Sequence, residues 1–283
     1  MMETNLDPAV LVPDDEVFVR MNRAERWQHG LLMASFIVLV LTGLPLLAKD
    51  AGFVRLVFGR GGQALRGILH RAAAFVLIAD LGWHFLYVLL TERGRRAIRD
   101  KAPRPRDVKD AFALIGHDAG LAAFLHRRGR FHRFFDRHPN WRFEKRPEFG
   151  RYSFIQKFDY WSLLGGSAIM IMTGVFMAAP GLSLRLFPLW LHQLFVVVHG
   201  WEAVLAFLAV LVWHMYMAHL NPEVFPMSRV WLDGKMTGAD LRRLHPREYR
   251  LILEERERLY CELLAVERGD GGRGPDRGAT PAP

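Results

Sequence analysis

The stretch Leu194–Leu220, LFVVVHGWEAVLAFLAVLVWHMYMAHL, is apolar along its length yet carries His199, Glu202, His214 and His219. Ionisable side chains at bilayer depth are costly, and where they occur they mark function. A helix rises ~1.5 Å and turns ~100° per residue, so His199 and His214 stand ~22 Å apart and about 60° apart in azimuth. His70 and His84, fourteen residues apart, stand ~21 Å apart with about 40° of drift. Neutral imidazole binds haem iron, and two axial histidines make a low-spin electron carrier with no open position. Two helices with histidines at these intervals meet the requirement of two stacked bis-histidine haems, with His70 level with His199 and His84 level with His214. The competing reading is a haem-free proton or ion transporter, or a channel component, lined by the same His, Asp and Glu residues.

Such side chains need membrane helices to hold them. Mean hydropathy is only +0.06, but the apolar residues gather into four runs: Gly30–Ala48, Ala72–Thr91, Tyr160–Pro180 and Leu194–Leu220. Each is long enough to cross ~30 Å of hydrocarbon. The first and third hold no Asp, Glu, Lys, Arg or His, and only Asp80 and His84 interrupt the second. The fold expected is all-α, an integral membrane four-helix bundle. It divides into an N-terminal arm 1–28, a transmembrane domain 29–220, a cytoplasmic segment 221–268 and a disordered tail 269–283. The spans are placed at about 29–48, 68–91, 159–180 and 194–220, with a loop at 92–157.

The first run is no cleaved signal peptide, since Asp14, Asp15 and Glu16 precede it and it exceeds a typical signal core. Eighteen Lys and Arg lie between Glu92 and Lys157, against four in Lys49–Arg66 and Arg185 alone in Gly181–Gln193. The positive-inside rule therefore puts both termini and the long loop in the cytoplasm. The net charge of +9 is then topology plus contact with lipid headgroups or an acidic partner. No nucleic-acid recognition motif accompanies it. Cys261 is the single cysteine, which excludes an internal disulfide, a Cys-ligated iron–sulfur cluster and a CxxCH haem attachment.

Asp80, one turn before His84, is placed to orient that imidazole or to relay protons to a quinone. Glu202 stands in the same way three residues past His199. Thr42-Gly43 is echoed by Thr173-Gly174, and Trp83-His84 with Tyr87 by Trp213-His214 with Tyr216. Gly165, Gly166 and Gly174 permit close helix packing, and Met170, Met172 and Met177 read as core. In the loop, Asp107–Leu114 and Ala119–Leu125 read as short amphipathic helices. His117, His126, His132 and His138 lack metal-ligand spacing and read as surface residues. Asp240–Glu267 reads as a charged helix.

A series of motifs resembles a known family. It runs Arg26-Trp27-Gln28-His29 with Thr42-Gly43 beyond it, Gly67-Ile68-Leu69-His70, and Arg151-Tyr152-Ser153-Phe154-Ile155-Gln156-Lys157. Then come His214-Met215-Tyr216-Met217-Ala218, Gly234-Lys235-Met236-Thr237, and His245-Pro246 with Tyr249-Arg250. In this order they resemble the membrane cytochrome b, or gamma, subunit of respiratory formate dehydrogenase, and more distantly that of nickel–iron hydrogenase. The resemblance implies two b-type haems carrying electrons between an outer-face partner and a quinone, menaquinone or ubiquinone, near the cytoplasm. The partner would be an iron–sulfur subunit or a multihaem cytochrome c, and the location a bacterial inner membrane. It assigns His70 and His199 to the outer haem, and pairs His214 with His29 at the inner one, where spacing alone selects His84. Tyr152, Ser153, Gln156 and His214 are the quinone-site candidates, although Ser153 and Ile155 stand where the family has Asn and Gly. The interval from His199 to His214 is fifteen residues where the family has fourteen, a difference one π-bulge can absorb.

Overall fold

The computed structural model describes residues 7–47, 52, 62–118 and 147–267. Four long helices dominate it: α1 (Arg23–Leu47), α2 (Gly62–Leu90), α3 (Phe154–Ala178) and α4, which begins as Leu189–Leu208. The last continues as π-helix over Ala209–His214 and again over Tyr216–Leu220. All four are long and apolar enough to cross a membrane, and no more than 17% of the most apolar window of any of them is buried inside the protein. Phe75, Phe85, Leu90, Val197 and Trp201 lie on the outside. So large an apolar surface suits lipid, not water.

Consecutive spans pack as pairs, α1 with α2 and α3 with α4, and α4 also packs on α1. The faces that meet are mostly small or polar. Gln28, Ser35 and Thr42 recur every seventh residue along the buried stripe of α1, and Ala73, Leu77 and Asp80 line that of α2. In hydrocarbon, close approach of small residues and hydrogen bonding hold helices together, since lipid tails compete for apolar contact.

The helices start before the apolar runs do, because polar capped turns precede them. Ser153 caps α3, and its hydroxyl and the Gln156 side chain bond each other's backbone in a capping box. At this end of the bundle the helix Glu92–Lys101 follows α2, capped by Thr91. The helix Pro105–Asp118 covers the expected Asp107–Leu114 and packs on α3. Lys157, buried at 7% exposure, fastens the two through Asp107 at 2.8 Å. Ala119–Leu125, His126, His132, His138 and the tail 269–283 lie outside the described residues.

The described N- and C-terminal segments meet at this same end. The N-terminal arm is packed in place: Val17–Val19 pairs antiparallel with Lys235–Thr237, and Val12, Met236, Leu241 and Tyr249 form a buried cluster. Arg20 bonds Glu248 at 2.6 Å, the Arg151 carbonyl at 2.6 Å and His245 Nε2 at 3.1 Å. The expected helix over Asp240–Glu267 is two helices, Gly238–Leu244 and Pro246–Glu267. The residue before a proline is driven out of helical geometry, whereas proline itself suits a first turn.

Candidate functional site

At the far end of the bundle, away from the termini, His70 of α2 faces His199 of α4 with ring centroids 6.4 Å apart. Each imidazole is held from the neighbouring helix of its pair. Thr42 Oγ1 lies 2.9 Å from His70 Nδ1, and Thr173 Oγ1 lies 2.9 Å from His199 Nδ1. Each threonine hydroxyl donates its one hydrogen back along its own helix, to the Val38 carbonyl at 2.6 Å and the Ile169 carbonyl at 2.7 Å. The oxygen can then only accept from the ring, so Nδ1 carries the proton and Nε2 presents a lone pair. The glycine after each threonine makes room: a Cβ on Gly43 would lie 3.3 Å from His70 Cε1, and one on Gly174 3.2 Å from His199 Cε1. The Thr-Gly echo is thus a device that sets the tautomer and position of two histidines.

Nearer the termini, His29 of α1 faces His214 of α4, again with centroids 6.4 Å apart. Two imidazoles bound through one nitrogen each to opposite sides of a metal at ~2.0 Å would have centroids ~6.3 Å apart. Both pairs match that span. Among the described residues no group of three or more His, Cys, Asp or Glu forms a metal cluster. A metal at either pair would therefore bring its other ligands with it, as a porphyrin does. The residues fit haem.

The π-helix Ala209–His214 lies within the interval from His199 to His214, where its wider turns take up a fifteenth residue. His84 stands elsewhere. Its Nδ1 is 3.0 Å from Gln28 Oε1 and its Nε2 is 3.0 Å from Tyr160 Oη. The structure therefore brings His29, not His84, opposite His214. The His84–His214 pairing expected from spacing is not formed, because α4 packs on α1 as well as α3. Nor does Asp80 bond His84, whose two nitrogens are occupied; Asp80 Oδ1 is buried without a hydrogen-bond partner. Glu202 turns toward Gly166, where a Cβ would lie 2.6 Å from its Oε1, and Thr173 holds His199 in its stead.

The two halves of the bundle correspond. Thr42 and Thr173 are 131 positions apart, as are His29 and Tyr160, while His84 and His214 are 130 apart. The His84–Tyr160 contact, with ring centroids 5.8 Å apart, is the counterpart of the His214–His29 pair with one imidazole replaced by a phenol.

Trp231 carries no spacing signal in the sequence, yet its ring centroid lies 6.2 Å from that of His29. Trp231 Nε1 and His29 Nδ1 are both buried without a hydrogen-bond partner. Of the quinone-site candidates, Ser153 and Gln156 make the α3 cap, and Tyr152 lies under the Lys101 ammonium at 5.1 Å and the Arg151 guanidinium at 5.9 Å. Burial lowers the Lys101 pKa. A cleft of about 400 Å³ between the start of α3 and the end of α4 is lined by Leu114, Ile155, Tyr216, Met217 and Asn221.

The family model described as prokaryotic cytochrome b561 matches residues 20–229. No curated protein matches the chain.

Proposed function

Because this chain belongs to the prokaryotic cytochrome b561 family, a family of membrane haem b electron-transfer subunits, we propose that it is the membrane-anchoring dihaem cytochrome b subunit of a respiratory oxidoreductase complex. In this reading it resembles the formate dehydrogenase gamma subunit. It joins an outer-face redox partner, an iron–sulfur subunit or a multihaem cytochrome c, to menaquinone or ubiquinone at the cytoplasmic end. His70 with His199 holds the outer haem and His29 with His214 the inner one. Bound there, haem supplies a one-electron carrier whose iron has no position open to substrate.

The observation that carries this reading is the repeated 6.4 Å separation of two histidine pairs in one bundle. What the chain itself does is hold and orient. Thr42 and Thr173 hold Nδ1 of His70 and His199 and so leave the Nε2 lone pair of each free to bind iron. The lipid-facing apolar surface keeps water from both pairs, and the basic loop end fixes the bundle's direction in the membrane. The quinone reading rests on the cleft beside Ile155, with Tyr152 just before α3 and His214 two residues before Tyr216 of that cleft. Ser153 and Gln156 serve that site by building the helix start that frames it. The test is a reduced-minus-oxidised spectrum of the detergent-purified chain. A b-type α-band that menadiol generates supports the reading, and a chain with no such band refutes it.

A further inference from the structure

The His84–Tyr160 contact has no role in holding either haem, yet it sits where the repeat would put a third imidazole pair. Its hydrogen bonding is ordered. With Gln28 Oε1 accepting from Nδ1, His84 Nε2 accepts the Tyr160 hydroxyl proton at 3.0 Å. Tyr160 is half-buried in the second turn of α3, close to the interface where a quinone ring arrives from lipid. The Lys101 ammonium stands 4.4 Å from the Tyr160 ring centroid and 5.1 Å from that of Tyr152. It is held there in part by its own carbonyl, which accepts from Trp161 Nε1 at 2.9 Å. The charged groups facing this cluster are Lys101 and Glu25 about His84, and Glu25, Asp100 and Arg151 about Lys101; Tyr152 faces Tyr160. A half-buried phenol hydrogen-bonded to an imidazole, beside an ammonium, is equipped for proton exchange.

We propose that Tyr160 and His84 form the proton-exchanging pair of the quinone reaction, the phenol touching the quinone oxygen and the imidazole taking up or returning the proton. The proposal rests on the quinone reading above and deepens it. When a quinol is oxidised, its hydroxyl proton passes to Tyr160 Oη as the Tyr160 proton passes to His84 Nε2. Tyr160 remains a phenol and His84 becomes an imidazolium. The nearby Lys101 ammonium opposes a lasting second positive charge, so that proton is discharged to the cytoplasm and the pair returns to its starting state, while the second proton, on the opposite quinol oxygen, leaves to water at the membrane surface. The quinol loses two protons and two electrons; haem held by the two histidine pairs of the proposed function would accept those electrons one at a time. Quinone reduction is the reverse.

The experiment compares the purified full-length chain with Tyr160→Phe and His84→Gln, measuring haem content, haem midpoint potentials and the rate of haem reduction by menadiol from pH 6 to 9 in H₂O and D₂O. Dithionite serves as the proton-independent reductant. Both variants are expected to keep wild-type haem content and potentials and wild-type dithionite reduction. Both should lose about a hundredfold in the menadiol rate, the size of one acid–base contribution, together with its pH dependence and solvent isotope effect. Wild-type menadiol rates and pH profile in the two variants overturn the pair's role. Loss of a haem from His84→Gln also overturns it, since His84 would then be a ligand. A haem-loaded wild-type chain inert to menadiol overturns the quinone reading, and this proposal with it.

Discussion

His29 of α1 and His214 of α4 bring their rings to the same 6.4 Å separation as His70 of α2 and His199 of α4. One helix, α4, thus supplies a histidine to each pair, and the second member comes from a different helix each time. His29→Leu is expected to reduce haem per chain from two to one and leave the outer low-spin signal intact. His70→Leu should do the converse. Electron paramagnetic resonance of the oxidised variants reads both outcomes.

Thr42 and Thr173 hold His70 and His199 in the same tautomer, each through Nδ1, and no comparable hydroxyl holds His29, whose Nδ1 has no partner. Loss of a group that orients a metal-ligating histidine costs about 10–100-fold in affinity. Thr42→Val and Thr173→Val should each weaken outer-haem retention by that factor and shift its midpoint potential, with the inner haem unaltered. Serine at either position, which keeps the hydroxyl, should restore it. Haem titration into the apoprotein, followed with a redox titration, checks this.

His245 is 5% exposed, and its pKa falls to about 4 through burial first and the Arg20 guanidinium second. Its Nδ1 donates to the Gly150 carbonyl at 2.7 Å, and Nε2 accepts from Arg20, an arrangement that requires the neutral ring. Above the ordinary value of 6.5 neither the folded nor the unfolded residue is protonated. Between 6.5 and about 4 the unfolded form binds a proton and the folded one does not, so stability falls with pH across that window. Proteolysis of the N-terminal arm should accelerate as pH drops from 7 to 5, and His245→Gln should flatten the dependence.

Gly234 has φ +78 at the turn leading into β-strand Lys235–Thr237, and a Cβ there would collide with the Met21 carbonyl. Left-handed backbone alone costs an L residue ~1–2 kcal/mol, before the collision is counted. Gly234→Ala should loosen the arm from the C-terminal segment, seen as faster amide exchange at Val17–Val19, while both histidine pairs keep their haem.

The four spans were legible because hydropathy along a membrane helix needs no tertiary information. His199 was legible for the same reason, being a costly group in such a run, and His70, two residues before the second run, through its interval to His84. His29 was not legible from spacing, since it sits at the edge of an apolar run and its partner depends on which helices touch. The fourteen-residue interval to His84 is real, but the structure gives that imidazole to Tyr160, a residue no histidine count would select. The Thr-Gly echo was visible as a repeat, yet its purpose needed the distance from each hydroxyl to a ring on the next helix. The packed cluster of Val12, Met236, Leu241 and Tyr249 was hidden because Val12 lies more than two hundred residues from the other three.

The proposed function requires two haems per chain, each between two imidazoles. Pyridine haemochrome analysis of the full-length chain, expressed with ample haem and purified in detergent, measures it most directly. The account predicts two b haems per chain, falling to one in His29→Leu or His70→Leu. A colourless, iron-free chain that is otherwise folded would contradict it and leave these histidines to proton or ion handling.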